Sequence, residues 1–229
     1  EQEIQFLSHF DGSDAATSTT DASSYGRTIT FAGNAQLDTA QQKFGTASLL
    51  LDGTGDYVSI PDTAAFEIGT QDFTVDCWVR FNSVAATADF MAKWQPTGNQ
   101  RSWQFAWSQS AATLRILTST AGSATSSTIS ESWSPSTNTW YHIAAERTGG
   151  KIYLYVNGTM LGTGTAKTDS FYSGTGVVAV GAASNGNDSV NGWIDEPRIV
   201  IGTGLYGGSS FTVETAAYTN PATANYFTP

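Results

Sequence analysis

The residues best suited to chemistry in this chain are its aromatic rings and carboxylates. Seven Trp and nine Tyr are many for 229 residues. A sugar offers apolar C–H faces beside a rim of hydroxyls, so a sugar site pairs an aromatic plane with amides, carboxylates or guanidinium groups. Trp94 stands at the mouth of the loop Gln95-Pro96-Thr97-Gly98-Asn99-Gln100 and is the ring expected to be exposed. Trp78 has Asp76 and Arg80 beside it on one strand face, and Trp103, Gln104 and Trp107 follow on a later strand. With that face lining a concave sheet, Trp94, Trp78, Arg80, Trp103 and Trp107 would form a glycan groove. The competing use of Trp103, Phe105 and Trp107, which alternate, is core packing, because large rings dominate core burial.

Catalysis finds less support. A retaining glycosidase needs two carboxyls about 5–5.5 Å apart, which a strand supplies through acids at alternate positions. Asp195 and Glu196 are adjacent instead and point to opposite strand faces. His9 and His142 are the only histidines, and no Gly-x-Ser-x-Gly elbow accompanies them. Cys77 alternates with Phe73, Val75, Val79 and Phe81, which makes it a buried, inert thiol. A single cysteine also excludes an internal disulfide framework. The chain reads as a binding or structural protein and not an enzyme.

Twenty acidic and ten basic residues give a net charge of −10. That balance repels nucleic acid and anionic membranes, so neither is an expected partner. No leader segment is read in the sequence, and no apolar run reaches the roughly 20 residues of a membrane span. Charged residues make up only 13 %, with abundant Ser, Thr, Gly and Ala, a composition of exposed sheets and loops.

The elements that must position these side chains are strands. Phe73 to Phe81 alternates cleanly, with Phe73, Val75, Cys77, Val79 and Phe81 on one face and Thr74, Asp76, Trp78 and Arg80 on the other. Further strands are expected at Ile4–Phe10, Ile29–Phe31, Ser48–Leu51, Phe90–Trp94, Ser102–Trp107, Thr113–Leu117, Ser127–Ser130, Trp140–Arg147, Lys151–Val156, Gly176–Gly181 and Gly192–Val200. Thr148-Gly149-Gly150 and Asn157-Gly158 are hairpin signals, since these residues tolerate positive φ. Pro197 inside the last strand predicts an edge or a bulge, because proline cannot donate to a ladder. About a dozen short strands without a convincing helix predict an all-β, two-sheet antiparallel sandwich, a jelly roll. It should occupy residues 1–213, with 214–229 an extended arm that clasps the domain or a neighbour.

Leu51-Asp52-Gly53-Thr54-Gly55-Asp56-Tyr57-Val58-Ser59-Ile60-Pro61, Trp140-Tyr141-His142-Ile143-Ala144 and Gly192-Trp193-Ile194-Asp195-Glu196-Pro197-Arg198-Ile199 together resemble the laminin-G-like branch of the concanavalin A-like lectin/glucanase superfamily. The resemblance implies the same jelly roll. Glucanases of that group carry a Glu-x-Asp-x-x-Glu strand, which is absent from this sequence. It also implies a structural Ca²⁺ held by Asp11, Asp56 and Asp195 with the Gly53 carbonyl; the competing reading gives those acids to turn chemistry. The ending Trp-Ile-Asp-Glu-x-Arg-Ile-x-x-Gly-x-x-x-Tyr resembles bacteriophage virion proteins. By that resemblance the chain is a virion surface or extracellular protein, a capsid decoration or tail-associated component. Its partners would be other virion proteins, cell-surface glycans or further copies of itself. A bacterial carbohydrate-binding adhesin is the alternative, and a polysaccharide hydrolase or lyase a distant one.

Overall fold

Alternating side chains cannot bury one face of a strand without a second sheet to cover it, and the chain meets that need with fifteen strands. The computed structural model describes residues 3–219. The strands are β1 (Glu3–Leu7), β2 (Thr30–Ala32), β3 (Gln36–Asp38), β4 (Ser48–Asp52), β5 (Tyr57–Ile60), β6 (Phe73–Phe81), β7 (Ala88–Gln95) and β8 (Gln100–Ser108). There follow β9 (Thr113–Thr118), β10 (Ser127–Ser132), β11 (Trp140–Thr148), β12 (Lys151–Val156), β13 (Thr159–Ala166), β14 (Val178–Val180) and β15 (Asn191–Ile201). Sheet I has the order β13-β12-β11-β6-β15-β4-β3, with β1 also paired to β15. Sheet II runs β10-β9-β8-β7-β14-β5-β2. All pairs are antiparallel, so the fold is the expected sandwich.

Phe73, Val75, Cys77, Val79 and Phe81 face the core from sheet I, and Phe90, Trp103, Phe105, Trp107, Leu114 and Ile116 meet them from sheet II. Phe81 stands edge-on to Phe90 and Trp107, with ring centroids 6.0 and 5.8 Å away. Each large apolar side chain so buried contributes roughly 1.5–3 kcal/mol. Cys77 is free and buried, and that burial pushes its thiol well above its ordinary value. It is an inert core residue.

Both hairpin signals form hairpins. Gly149 and Gly150 join β11 to β12, and Asn157 and Gly158, at φ 49° and 75°, join β12 to β13. Strand β13 carries no apolar alternation and is mostly exposed, which is why its sequence does not announce it. Pro197 lies in a central strand, not at an edge. The register of β15 on β6 shifts between Asp195 and Arg198, and Glu196 takes a φ of 50°, so the proline occupies a bulge. The bulge falls where β15 changes partner from β4 to β1.

Glu3 and Ile4 already belong to β1, opposite Ile201 and Val200. The first part of the expected arm folds onto its own domain: Tyr218 joins Ile4, Leu7 and Val200 in a satellite core. Residues 1–2 and 220–229 of the two terminal segments lie outside the described residues. Among the described residues no helix is long and apolar enough to cross a membrane.

Candidate functional site

The outward face of sheet I carries Asp76, Trp78, His142, Glu146, Tyr155 and Arg198, and the chain after β15 roofs it. Phe211 N–H donates to the Gly158 carbonyl at 2.8 Å, and a side chain at Gly158 would collide with the Phe211 carbonyl. Tyr206 and Phe211 stack at 3.6 Å and lie edge-on to Tyr155. Beneath them Arg198 donates to both Asp76 oxygens, at 3.1 and 2.6 Å, and the Tyr206 hydroxyl donates to Asp76 as well. Glu146 accepts from the Tyr155 hydroxyl at 2.6 Å and from the backbone of Tyr206 and Gly208. Burial opposes the Arg198 charge, but Asp76 beside it holds the guanidinium above its ordinary value. Burial lowers His142 to about 4, so it stays neutral, 2.8 Å from the Tyr218 hydroxyl.

Two of the expected glycan contacts on this face are engaged by other residues of the fold. Trp78 is 6 % exposed, with the Lys43 ammonium 3.9 Å from its ring centroid and Phe44 and His142 edge-on to it. Arg80 lies over the Trp193 ring at 4.9 Å. Trp103 and Trp107 are in the core between the sheets, because their alternation with Phe105 puts all three rings on the inward face. The five expected residues therefore do not form one groove; Trp94 alone of them lines a cleft, and contrary to the expected exposure it is itself buried, at 7 % exposed.

That cleft lies on the outward face of sheet II. Gln104 and Leu117, paired across β8 and β9, line it, and Ala92 and Ala179 continue that row away from them. In the next row Asp89 pairs with Ala106 and Ala106 with Arg115. The loop after β14 returns over β7, where the Gly181 N–H donates to the Phe90 carbonyl, Ser184 to Trp94, and Asp89 to Asp188. The space left is about 300 Å³, lined by Trp94, Gln104, Arg115, Asn185, Asn187 and Asp188 among others. Asp89 is wholly buried below it, accepts from the Gln104 amide through Oδ2, and leaves Oδ1 without a partner. Burial pushes its carboxyl well above the usual range, which favours the neutral acid.

A family model described as the concanavalin A-like lectin/glucanases superfamily matches residues 52–202. The chain belongs to that superfamily. A search of curated proteins finds no match in sequence. Among solved structures, domain 4 of AbnA, an extracellular GH43 arabinanase from Geobacillus stearothermophilus, in complex with arabinotriose, is similar at a TM-score of 0.64 and 20 % identity, over 91 % of this chain and 97 % of that one. The botulinum neurotoxin serotype D ligand-binding domain in complex with N-acetylneuraminic acid matches at 0.62 and 14 % identity, over 93 % of this chain and 48 % of that one. This superfamily member thus spans about half the length of the toxin domain, and at these identities the likeness is one of fold.

The structure does not gather Asp11, Asp56 and Asp195 into a ligand set, and among the described residues no three His, Cys, Asp or Glu side chains converge on a metal position. Each acid is held in its own turn by backbone N–H groups. Asp11 accepts from Thr46 at 2.5 Å, and Asp56 from Asn34 at 2.5 Å and Asp52 at 2.8 Å. Asp195 accepts from Lys43 at 2.8 Å, Phe44 at 3.1 Å and Glu196 at 2.9 Å. Burial still raises Asp195 to about 8 against those bonds. Gly53, at φ 89°, packs against Asn191. The sequence reading also missed Asp89 and Arg115 in the cleft. Their signal was a charged residue at an outward position of a strand, Asp89 on β7 and Arg115 on β9, both opposite Ala106.

Proposed function

We propose that this superfamily member is a non-catalytic glycan-binding domain and that its sugar seat is the sheet II cleft. The observation that carries this reading is Trp94 lining one cleft of about 300 Å³ with Gln104, Asn185, Asn187, Arg115 and Asp188. The ring supplies apolar surface, and the amides donate and accept. The named ligands of the two solved neighbours, arabinotriose and N-acetylneuraminic acid, favour a carbohydrate over other small molecules. Hydrolysis is disfavoured because Asp188 is the only carboxylate lining the cleft, and the reaction needs two. The setting we propose is a virion or other extracellular surface, on the strength of the Trp193–Tyr206 motif.

The test is a glycan array on the folded protein, run with and without Ca²⁺, followed by Trp94→Leu, which keeps apolar volume and removes the aromatic plane. Reproducible hits that weaken at least tenfold in the variant, with an unchanged circular dichroism spectrum, are expected. A blank array on folded protein in both conditions would sink the reading.

A further inference from the structure

Five of the six arginines are engaged within the fold. Arg27, Arg101 and Arg147 donate to backbone carbonyls, Arg80 covers the Trp193 ring, and Arg198 pairs with Asp76. Arg115 differs. Among the described residues its guanidinium has no hydrogen bond, ion pair or ring partner, and its Nε is buried without one. It lines the same cleft as Trp94. The nearest-placed acid, Asp89, faces it from across Ala106 but makes no ion pair with it; burial favours the uncharged form of that acid. Asp188 also lines the cleft, and it forms no ion pair with Arg115 either. A second guanidinium, Arg101, lines the opposite part of the cleft while held by the Ser123 carbonyl at 2.7 Å. In a chain of net charge −10, this cleft holds two guanidinium groups beside one lining carboxylate, Asp188.

We propose that the cleft selects glycans bearing a carboxylate, with Arg115 as the residue that receives it. A guanidinium presents parallel N–H donors in a planar fork that matches a carboxylate, and it is less strongly hydrated than an ammonium, so a half-buried arginine recognises that group well. A neutral sugar answers a guanidinium only with hydroxyl oxygens, whose hydrogen bonds are weaker than the charge-assisted pair a carboxylate makes. This inference rests on the glycan reading above and narrows it to a ligand class.

The test compares matched probes, a uronic-acid oligosaccharide against its neutral counterpart and a sialylated glycan against its desialylated form, by titration calorimetry. The acidic member should bind about tenfold or more tightly, the size expected of one charge-assisted hydrogen-bonded pair. Raising the salt concentration should narrow the gap. Arg115→Gln should erase the acid-to-neutral ratio, and Arg115→Lys, which keeps the charge but not the fork, should recover only part of it. Equal affinity for acidic and neutral probes, both weakened by Trp94→Leu, would overturn the acid selectivity and leave glycan binding standing. No affinity for either kind of probe would overturn both. A melting curve for each variant separates lost recognition from lost fold.

Discussion

Arg198 and Arg115 sit on the outward faces of opposite sheets, each near a buried aspartate, and they meet opposite fates. Arg198 donates twice to Asp76, lies 3.8 Å from the Tyr218 ring centroid, and is roofed by Tyr206. Arg115 has no such partner, and Asp89 near it keeps one oxygen unsatisfied. The difference follows the path of the chain. After β15 it folds back over sheet I and supplies Tyr206, Phe211 and Tyr218, whereas only a short loop, pinned to β7, returns over sheet II. Under the first cover the charged groups are paired from within, although Trp78 Nε1 and His142 Nδ1 keep no partner. Beside the second, the Arg115 guanidinium and one Asp89 oxygen are unpaired.

The largest effect should come from breaking the closed face. Arg198→Ala strands Asp76 as an unpaired buried charge, and denaturant unfolding should show a loss of about 3–5 kcal/mol. Next in size is the acid response of the same network. Between pH 6.5 and about 4 the unfolded chain protonates His142 while the folded chain does not, so stability falls as pH falls through that window. The loss is at most about 3 kcal/mol. His9, raised by its bond to Glu196, works in the opposite sense, so the measurement is the difference in melting temperature across that window between wild type and His142→Gln, in which the His142 slope should vanish.

On the open face the effects move from stability to recognition. Trp94→Leu should lower glycan affinity by at least about 1.4 kcal/mol, a factor of ten, in a binding titration while the protein remains folded. The smallest effect sharpens the comparison most. Arg115→Gln should change unfolding free energy by no more than about 0.5 kcal/mol, because it removes no hydrogen bond of the buried Nε and no ion pair. A loss as large as that of Arg198→Ala would mean that Arg115 is a structural arginine after all.

Much of this was legible in the residues. The alternation of Phe73 to Phe81 set which side chains enter the core, and all five apolar ones do. Gly149-Gly150 and Asn157-Gly158 marked two hairpins, and the backbone there takes the positive φ that those residues tolerate. Pro197 announced an edge or a bulge through its missing donor, and the bulge is what forms. These are local properties of sterics and period, so a short stretch of sequence suffices to specify them.

What alternation cannot specify is what covers the outward face once the inward one is known. Trp78 was correctly turned away from the core, yet it is sealed by Lys43, Phe44 and His142, which come from distant parts of the chain. Trp103 and Trp107 share a face, but only the packing of sheet II against sheet I makes that face the interior. The cleft joins Trp94, Arg115 and Asp188 from a strand, its second neighbour and a loop of the far half. The sequence by itself determined the sandwich and its alternating faces, because period and turn sterics are local. Which face stays open was decided by tertiary structure, since burial of an outward side chain depends on the path of segments far away in sequence.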